Sequence, residues 1–480
     1  MRKPADIVAR DDEWATLCRI WERPHPDLTF VLGRRRIGKS YVLSRFARQV
    51  NGIYYQATRR TETEQLASLS HVIGHHYEDE ALKQGVGFPS WEGLLGYLGS
   101  KAGNGENANP LLVVLDEFSY LADAAPALPS LIQRVWDHDW SGTRIKLILS
   151  GSYMAAMTRL EAADQPLYGR RTARMVFAPF SYRDVAAFVP SYTPQDWLHT
   201  YALVGNLPGH LALLDRGIPF EDNMADLLLH PSSRLLDDAQ HLLDAFLGEA
   251  SVHYSILEAI AGGDATWSRL TSRVGRSGGA LLRPLQWLEQ MGFVERAVPI
   301  TEKNPTRSRK VVYRLTDPYL TGWHRFVAPL LRAGSVGLAD PSVLFQAKVA
   351  PMLDDYMGPI FESVCRDYVR LGGRDMPPGF RPLRVGDWWA PSSDDQVDVV
   401  ALGVEGDLLV GECKWGHFST RDVHKLTSRA AHVASLMNIN PDRVHVFGFT
   451  GLDSMDPGVQ EQVGQERLRV ITAPQLFEAA

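Results

Sequence analysis

At 480 residues the chain has room for about three domains at ~150 residues each, and its 45% apolar and 22% charged content is that of ordinary globular protein, which excludes wholesale disorder. A formal net charge of -6 excludes a uniformly basic nucleic-acid coat and confines any nucleic-acid contact to local basic patches. The three cysteines, Cys18, Cys365 and Cys413, are scattered without a C-x-x-C pair, which speaks for a reducing compartment and against a zinc site. The N-terminal charges have no apolar stretch behind them, and no apolar run approaches about eighteen residues, so a soluble cytoplasmic protein with no membrane contact is expected.

In chain order, residues 7–17 read as a helix entry, with Asp11 or Asp12 able to cap and Trp14, Leu17 and Ile20 spaced for one face. Residues 28–32 form an apolar run of strand type, and residues 41–48 have the spacing of an amphipathic helix. Between them Gly33, Arg34, Arg35, Arg36, Ile37, Gly38, Lys39 and Ser40 satisfy G-x-x-x-x-G-K-[ST] in full, with Tyr41 following. In that setting the glycines let backbone N–H groups turn toward phosphate oxygens, and the helix N-terminus adds its positive end. The stretch predicts an ATP cradle in which Lys39 reaches the β- and γ-phosphates and Ser40 holds Mg²⁺.

Residues 52–57 are the next strand candidate. Residues 111–115 are a continuous apolar run, as for a strand buried on both faces of a parallel sheet, and they end in Asp116 and Glu117. Acids at that sheet end can serve a bound nucleotide, Asp116 by helping to hold Mg²⁺ and Glu117 by polarising the attacking water. The strand at 145–149 runs into Ser150-Gly151-Ser152, which either senses the γ-phosphate or caps a helix. Arg170, ahead of a strand candidate at 174–178, is the candidate arginine for the transition-state charge, within its own chain or in a neighbouring subunit.

These stretches, with residues 7–13, 166–170 and 178–182, resemble the archaeal-type AAA+ ATPases of the STAND-related branch and fall in that family's order. Gly205-Asn206-Leu207-Pro208 resembles the branch's G-x-P-type signature in the helical lid, with Pro208 near the adenine. The resemblance implies an α/β fold with a five-stranded P-loop core, a helical lid, a switch-like NTPase and possible homo-oligomers.

From residue 251 short helices are expected at 252–260, from 266, where Thr266 stands as a capping residue, and at 277–291. Strands at 292–298 and 310–316, joined by a basic loop, complete a winged helix. Arg273, Arg276, Arg283, Arg307, Arg309 and Lys310 are suitably charged for DNA, although the domain could equally be a rigid connector with a solvated loop.

Near the C-terminus a helix at 358–369 is expected to carry Glu362 on its first turn. Strands at 397–402 and after residue 407 form a hairpin whose period-two alternation sets Glu412 and Lys414 on one face, with Asp398 brought beside them. Two carboxylates and a lysine suit Mg²⁺ bound against a scissile phosphate, the lysine positioning or deprotonating a water. The pattern is similar to the D…E-x-K core of the PD-(D/E)XK nucleases and to the nuclease-like domain fused to this ATPase branch. That resemblance implies a restriction-endonuclease-like fold and makes Glu362 the helix-borne acid of the site. Gln396 departs from it, standing where many relatives carry a glutamate.

The expected organisation is an ATPase core at 1–180, a lid at 181–245, a winged helix at 246–335 and a nuclease-like domain at 336–480. The expected function is an ATPase that couples nucleotide state to Mg²⁺-dependent DNA cleavage in DNA processing or defence. Two alternatives remain: a nucleotide-gated scaffold whose nuclease-like domain no longer cuts, and an ATP-responsive regulator binding DNA through the winged helix.

Overall fold

The computed structural model describes residues 1–103, 109–152, 154–244, 251–276, 278–390, 395–465 and 468–478. Contacts divide the chain into two compact units, 1–179 with 207–209, and 180–206 with 210–480.

The first unit is built on five parallel strands, β1 Asp27–Leu32, β2 Ile53–Gln56, β3 Leu111–Asp116, β4 Ile145–Gly151 and β5 Ala173–Val176, in the order β2-β3-β4-β1-β5. The three central strands β3, β4 and β1 are buried at every position, as near-continuous apolar runs require when helices cover both faces. On one face Leu28, Phe30, Val113 and Leu147 pack among helices of residues 62–138, and on the other Val31, Val114 and Ile148 meet Val42, Phe46, Trp14 and Leu17. The register pairs Leu32 with Gly151 and Gln56 with Asp116, so the carboxyl ends of the strands finish together. At the opposite end Lys146 is buried, and its ammonium is held by Arg23 O at 2.8 Å, Asp27 Oδ2 at 3.0 Å and the carbonyl of His25. β5 stops short of the stretch 174–178 expected for it. The first helix spans Asp11–Glu22, but neither aspartate caps it: Arg10 holds the cap position in the left-handed region (φ 62°), and the acids lie in the first turn, where they answer the helix dipole.

In the second unit the helices Pro194–Val204, Phe220–Leu229 and Arg234–Asp244 lead to the helices Ser251–Ala261, Trp267–Val274 and Gly278–Gln290, then the antiparallel pair β6 Val294–Ala297 and β7 Val312–Leu315. Three helices and a hairpin therefore occur in the expected order; Ser277, the expected start of the third helix, lies outside the described residues. Thr266 does not cap with its side chain, because its hydroxyl meets Ser268 Oγ at 3.4 Å.

The helix expected to begin at 358 begins at Ala350 and runs to Arg370, straight through Pro359. Glu362 therefore lies mid-helix rather than on a first turn. Proline removes one helical hydrogen bond, and burial of Leu353, Met357, Ile360 and Phe361 on both sides of it offsets that loss.

The second sheet has the order β12-β11-β10-β9-β8, with β8 Pro382–Trp389, β9 Gln396–Gly403, β10 Leu408–Lys414, β11 Val444–Thr450 and β12 Arg469–Thr472. β9 runs antiparallel to both its neighbours, β8 and β10; β10, β11 and β12 are parallel. The helix Thr420–Met437, capped reciprocally by Ser419 and Asp422, packs on Leu408 and Val410, while the helix Ala350–Arg370 sets Phe361 on Trp415 and Tyr368 on Phe449. The alternating strand positions place the two helices on opposite faces. Residues 391–394, just before Gln396, lie outside the described residues. Among the described residues no helix is long and apolar enough to cross a membrane.

The π-turn Trp323–Val327 encloses His324, whose imidazole is pushed down to about 4, chiefly by burial. The unfolded chain takes up that proton near the ordinary 6.5, before the folded chain does, so stability should fall as pH drops from about 6.5 toward 4. Urea unfolding of His324→Gln across that window should show a shallower loss than the parent, by up to about 3 kcal/mol at the acid end.

Candidate functional site

The loop after β1 closes on itself for steric reasons. A Cβ at Gly33 would stand 2.9 Å from Phe177 O, so no side chain fits there, and Gly38 opens the helix Lys39–Gln49 at φ 89°. Lys39 Nζ lies within the loop, donating to Gly33 O at 2.6 Å, Arg34 O at 3.2 Å and Ser152 Oγ at 3.2 Å. Burial pushes its ammonium down to about 8, against the pull of Glu117 and Asp116, and Arg35 adds a like charge. Ser152 passes the contact on: its hydroxyl donates to Glu117, and its N–H reaches Glu117 Oε2 at 3.2 Å. Glu117 heads the helix Phe118–Ala124 in the left-handed region (φ 52°), a conformation uncommon for a residue with a Cβ. Asp116 is fully buried, its oxygens accepting from Tyr54 Oη at 2.7 Å and Glu117 N at 3.0 Å.

Ser152, Lys39 and Glu117, drawn from three different strand ends, thus form one cluster, with Asp116 beside it. Pro208 lies 3.8 Å from where a Gly38 Cβ would be, and Gly209 N donates to Arg36 O at 3.1 Å. Tyr41 turns its exposed ring away to Asp6, 2.8 Å from its hydroxyl, and to Arg45. Arg170 is the main departure. Its guanidinium is engaged by Asp137 at 2.9 and 2.8 Å and by the carbonyls of Pro166 and Tyr168, both at 3.0 Å. A bidentate carboxylate anchors it within this chain. Sequence reasoning passed over Arg10, which is buried over Phe177 and donates to Ile37 O at 2.9 Å and Glu13 at 2.7 Å, pinning the loop from below.

In the second unit the β9–β10 pairing ends with Gly411 opposite Val399, so Asp398 and Glu412 are the next residues on the two strands. Asp398 Oδ2 accepts from Cys413 N at 2.9 Å, and Glu412 takes Lys414 Nζ at 2.8 Å and Arg429 Nη1 at 3.3 Å, one on each oxygen. Arg366, one helical turn after Glu362, lies 3.7 Å from that carboxylate and donates to Asp398 O at 2.9 Å. Burial, then the charges of Glu362 and Glu412, push Asp398 up to about 7; burial likewise raises Glu362, opposed by Arg366 and Arg314. The arginines were missed. Arg366 had a signal in its i+4 spacing from Glu362, whereas Arg429 arrives from a distant helix and had none.

Among the described residues no three His, Cys, Asp or Glu side chains gather as a metal cage. The donor set nevertheless suits a hard cation: Asp398 and Glu412 supply acidic oxygens, the charge of Glu412 adds to the cost of ionising Asp398, and Mg²⁺ commonly takes one or two carboxylates with water and phosphate completing its shell.

A family described as archaea bacterial proteins of unknown function (DUF234) matches residues 323–426, which span the helix Ala350–Arg370 and the carboxylate strands. An uncharacterized protein of Methanocaldococcus jannaschii is 26% identical over 427 residues, covering 88% of this chain and 90% of its own. Among solved structures, a Walker-type ATPase of Pyrococcus abyssi superposes with TM-score 0.51 at 21% identity, covering 67% of this chain and 97% of that one. The Aeropyrum pernix ORC2 protein, solved with ADPNP and ADP, matches with TM-score 0.43 at 15% identity over 70% of this chain and 96% of its own. The first unit has the fold class of the Pyrococcus abyssi ATPase, a five-stranded parallel α/β sheet, and a separate sheet domain follows it.

Arg366 is the test of how the carboxylate site is held together. Removing one partner of a buried charge network typically costs about 3–5 kcal/mol. Arg366→Met should destabilise the second unit by that order in urea unfolding, and Arg366→Lys by less.

Proposed function

We propose that the chain is an ATP-hydrolysing P-loop protein whose nucleotide state governs Mg²⁺-dependent cleavage of DNA by the C-terminal carboxylate site. The observation that carries the reading is the pair of lysine-centred clusters: Lys39 with Ser152 and Glu117 at the end of a P-loop sheet, and Lys414 with Glu412 and Asp398 on a hairpin.

In the first cluster Lys39 neutralises the β- and γ-phosphates, and the backbone of the loop Arg34–Gly38 binds their oxygens. Ser40 and Asp116 hold a magnesium ion. Glu117, turned from Ser152 toward the phosphate, orients the attacking water, and Pro208 borders the adenine. In the second, Asp398 and Glu412 hold the cation, Lys414 and Arg429 keep Glu412 in one orientation, and Glu362 and Arg366 fix the strand beneath. When bound, magnesium supplies charge neutralisation at the phosphate and a more acidic water. DNA is the substrate class, bound by the basic loop at Arg307 and Arg309 as well as by the C-terminal domain.

A second reading, a nucleotide-gated scaffold that no longer cuts, is favoured by one observation: both oxygens of Glu412 are already taken by cationic side chains. A cleavage assay on single- and double-stranded DNA with Mg²⁺ or Mn²⁺, with and without ATP, separates the two. Lys414→Ala should lower cleavage at least about 100-fold, in the range general acid–base and electrostatic groups contribute. Equal cleavage by this variant and the parent would remove the enzymatic assignment from the site. Lys39→Ala should abolish ATP binding and hydrolysis, and undiminished hydrolysis there would remove the ATP site.

A further inference from the structure

We infer that Arg35 is the arginine of the ATP site, engaging the γ-phosphate from within the same chain; the inference rests on the ATPase reading above. The site needs such a cation, and the sequence candidate, Arg170, is anchored on Asp137.

Arg35 sits in the loop itself, four residues before Lys39, and its side chain is exposed. The one hydrogen bond its guanidinium makes among the described residues is to Tyr120 Oη, at 3.0 Å. Tyr120 lies in the first turn of the helix headed by Glu117, its N–H bonded to Glu117 O at 2.9 Å. Arg35 therefore spans from the phosphate loop to the helix of the water-orienting residue. Its charge also acts on Lys39, so two cations stand close together at the loop. Arg59 lies over the same Tyr120 ring, 5.5 Å from its centre.

A neutral phenol is a weak partner for a guanidinium, and a phosphate oxygen gives a stronger, charge-assisted bond. Two like charges crowded around one loop are relieved by a polyanion between them. In hydrolysis the water oxygen bonds to the γ-phosphorus as the bond to the β–γ bridging oxygen breaks. The electron pair goes to ADP, and the water's proton leaves toward Glu117. Arg35 stabilises the charge on the γ-oxygens through that change.

The test uses the full chain and three measurements: affinity for ADP, affinity for ADP with aluminium fluoride, and single-turnover hydrolysis. Arginines in this role are worth about 10³–10⁵ in rate. Arg35→Ala should keep ADP affinity within about threefold, weaken the aluminium fluoride complex at least about 30-fold and slow hydrolysis at least about 100-fold. Arg35→Lys should recover less than about a tenth of the lost rate, since a lysine cannot form the two-pronged contact. Hydrolysis by Arg35→Ala at the parent's rate overturns the assignment. So does a loss of ADP affinity in step with the rate, which would make Arg35 part of the cradle's framework. If the parent binds no ATP, or Lys39→Ala binds it as well as the parent, the ATPase reading itself falls and takes this assignment with it.

Discussion

The loop after β1 depends on the buried ammonium of Lys39. Lys39 is tied to the loop that precedes it and, through Ser152, to Glu117. Those three side chains stand at the ends of β1, β4 and β3, so the contact holds only if all three strands finish in register, as the pairing of Leu32 with Gly151 ensures. Arg10 below the loop and the Gly209 N–H beside it restrain the same backbone from two further directions. The loop carries three consecutive arginines, which repel one another; its backbone carbonyls are held by Lys39 and Arg10, and Arg35 is exposed.

The second unit solves a related problem with the signs reversed. Asp398, Glu412 and Glu362 are acids brought together by a hairpin and a helix, and burial makes ionisation of Asp398 and Glu362 costly. Lys414, Arg429 and Arg366 compensate them, each from a different direction and two of them on Glu412 alone. The second site is thus an acidic cluster with cations attached, where the first is a cation with acids attached.

Much of this was legible in the sequence because the signals were local. All five strands of the first sheet, the loop motif, Asp116 and Glu117 follow from apolar runs and their terminating residues; so does the β9–β10 hairpin, where a period of two places Glu412 and Lys414 together. The helix Ala350–Arg370 was misread at its start because Gly358-Pro359 is a strong breaker, and only the burial of residues on both sides of it overrides the local preference. The partner of Arg170 was not legible for the same kind of reason: the bond to Asp137 joins residues far apart in sequence. Arg10, Arg366 and Arg429 act through carbonyls and carboxylates supplied by other elements, and an exposed and a buried arginine are spelled identically.

The hairpin β6–β7 changes how the basic loop must be understood. Ile300 is buried among Trp388, Val397 and Leu408, its N–H bonded to Asp387 O at 2.9 Å and its carbonyl to Arg384 at 2.8 Å. Arg314 of β7 pairs with Asp387 and lies over Trp389. The loop's root is therefore fastened along β8, the edge strand of the second sheet, where it also occupies backbone groups that an open edge would expose. A free wing can reorient toward a groove; one stapled at its root presents Arg307 and Arg309 at a fixed position relative to the carboxylate strands. Lys310, by contrast, is paired with Glu302 at 2.7 Å. The exposed arginines and the strands carrying Asp398 and Glu412 are thus held in one register by covalent and hydrogen-bonded structure. The same staple explains why Arg314, a residue of the hairpin, contributes to the electrostatics of Glu362 on the helix beneath the site.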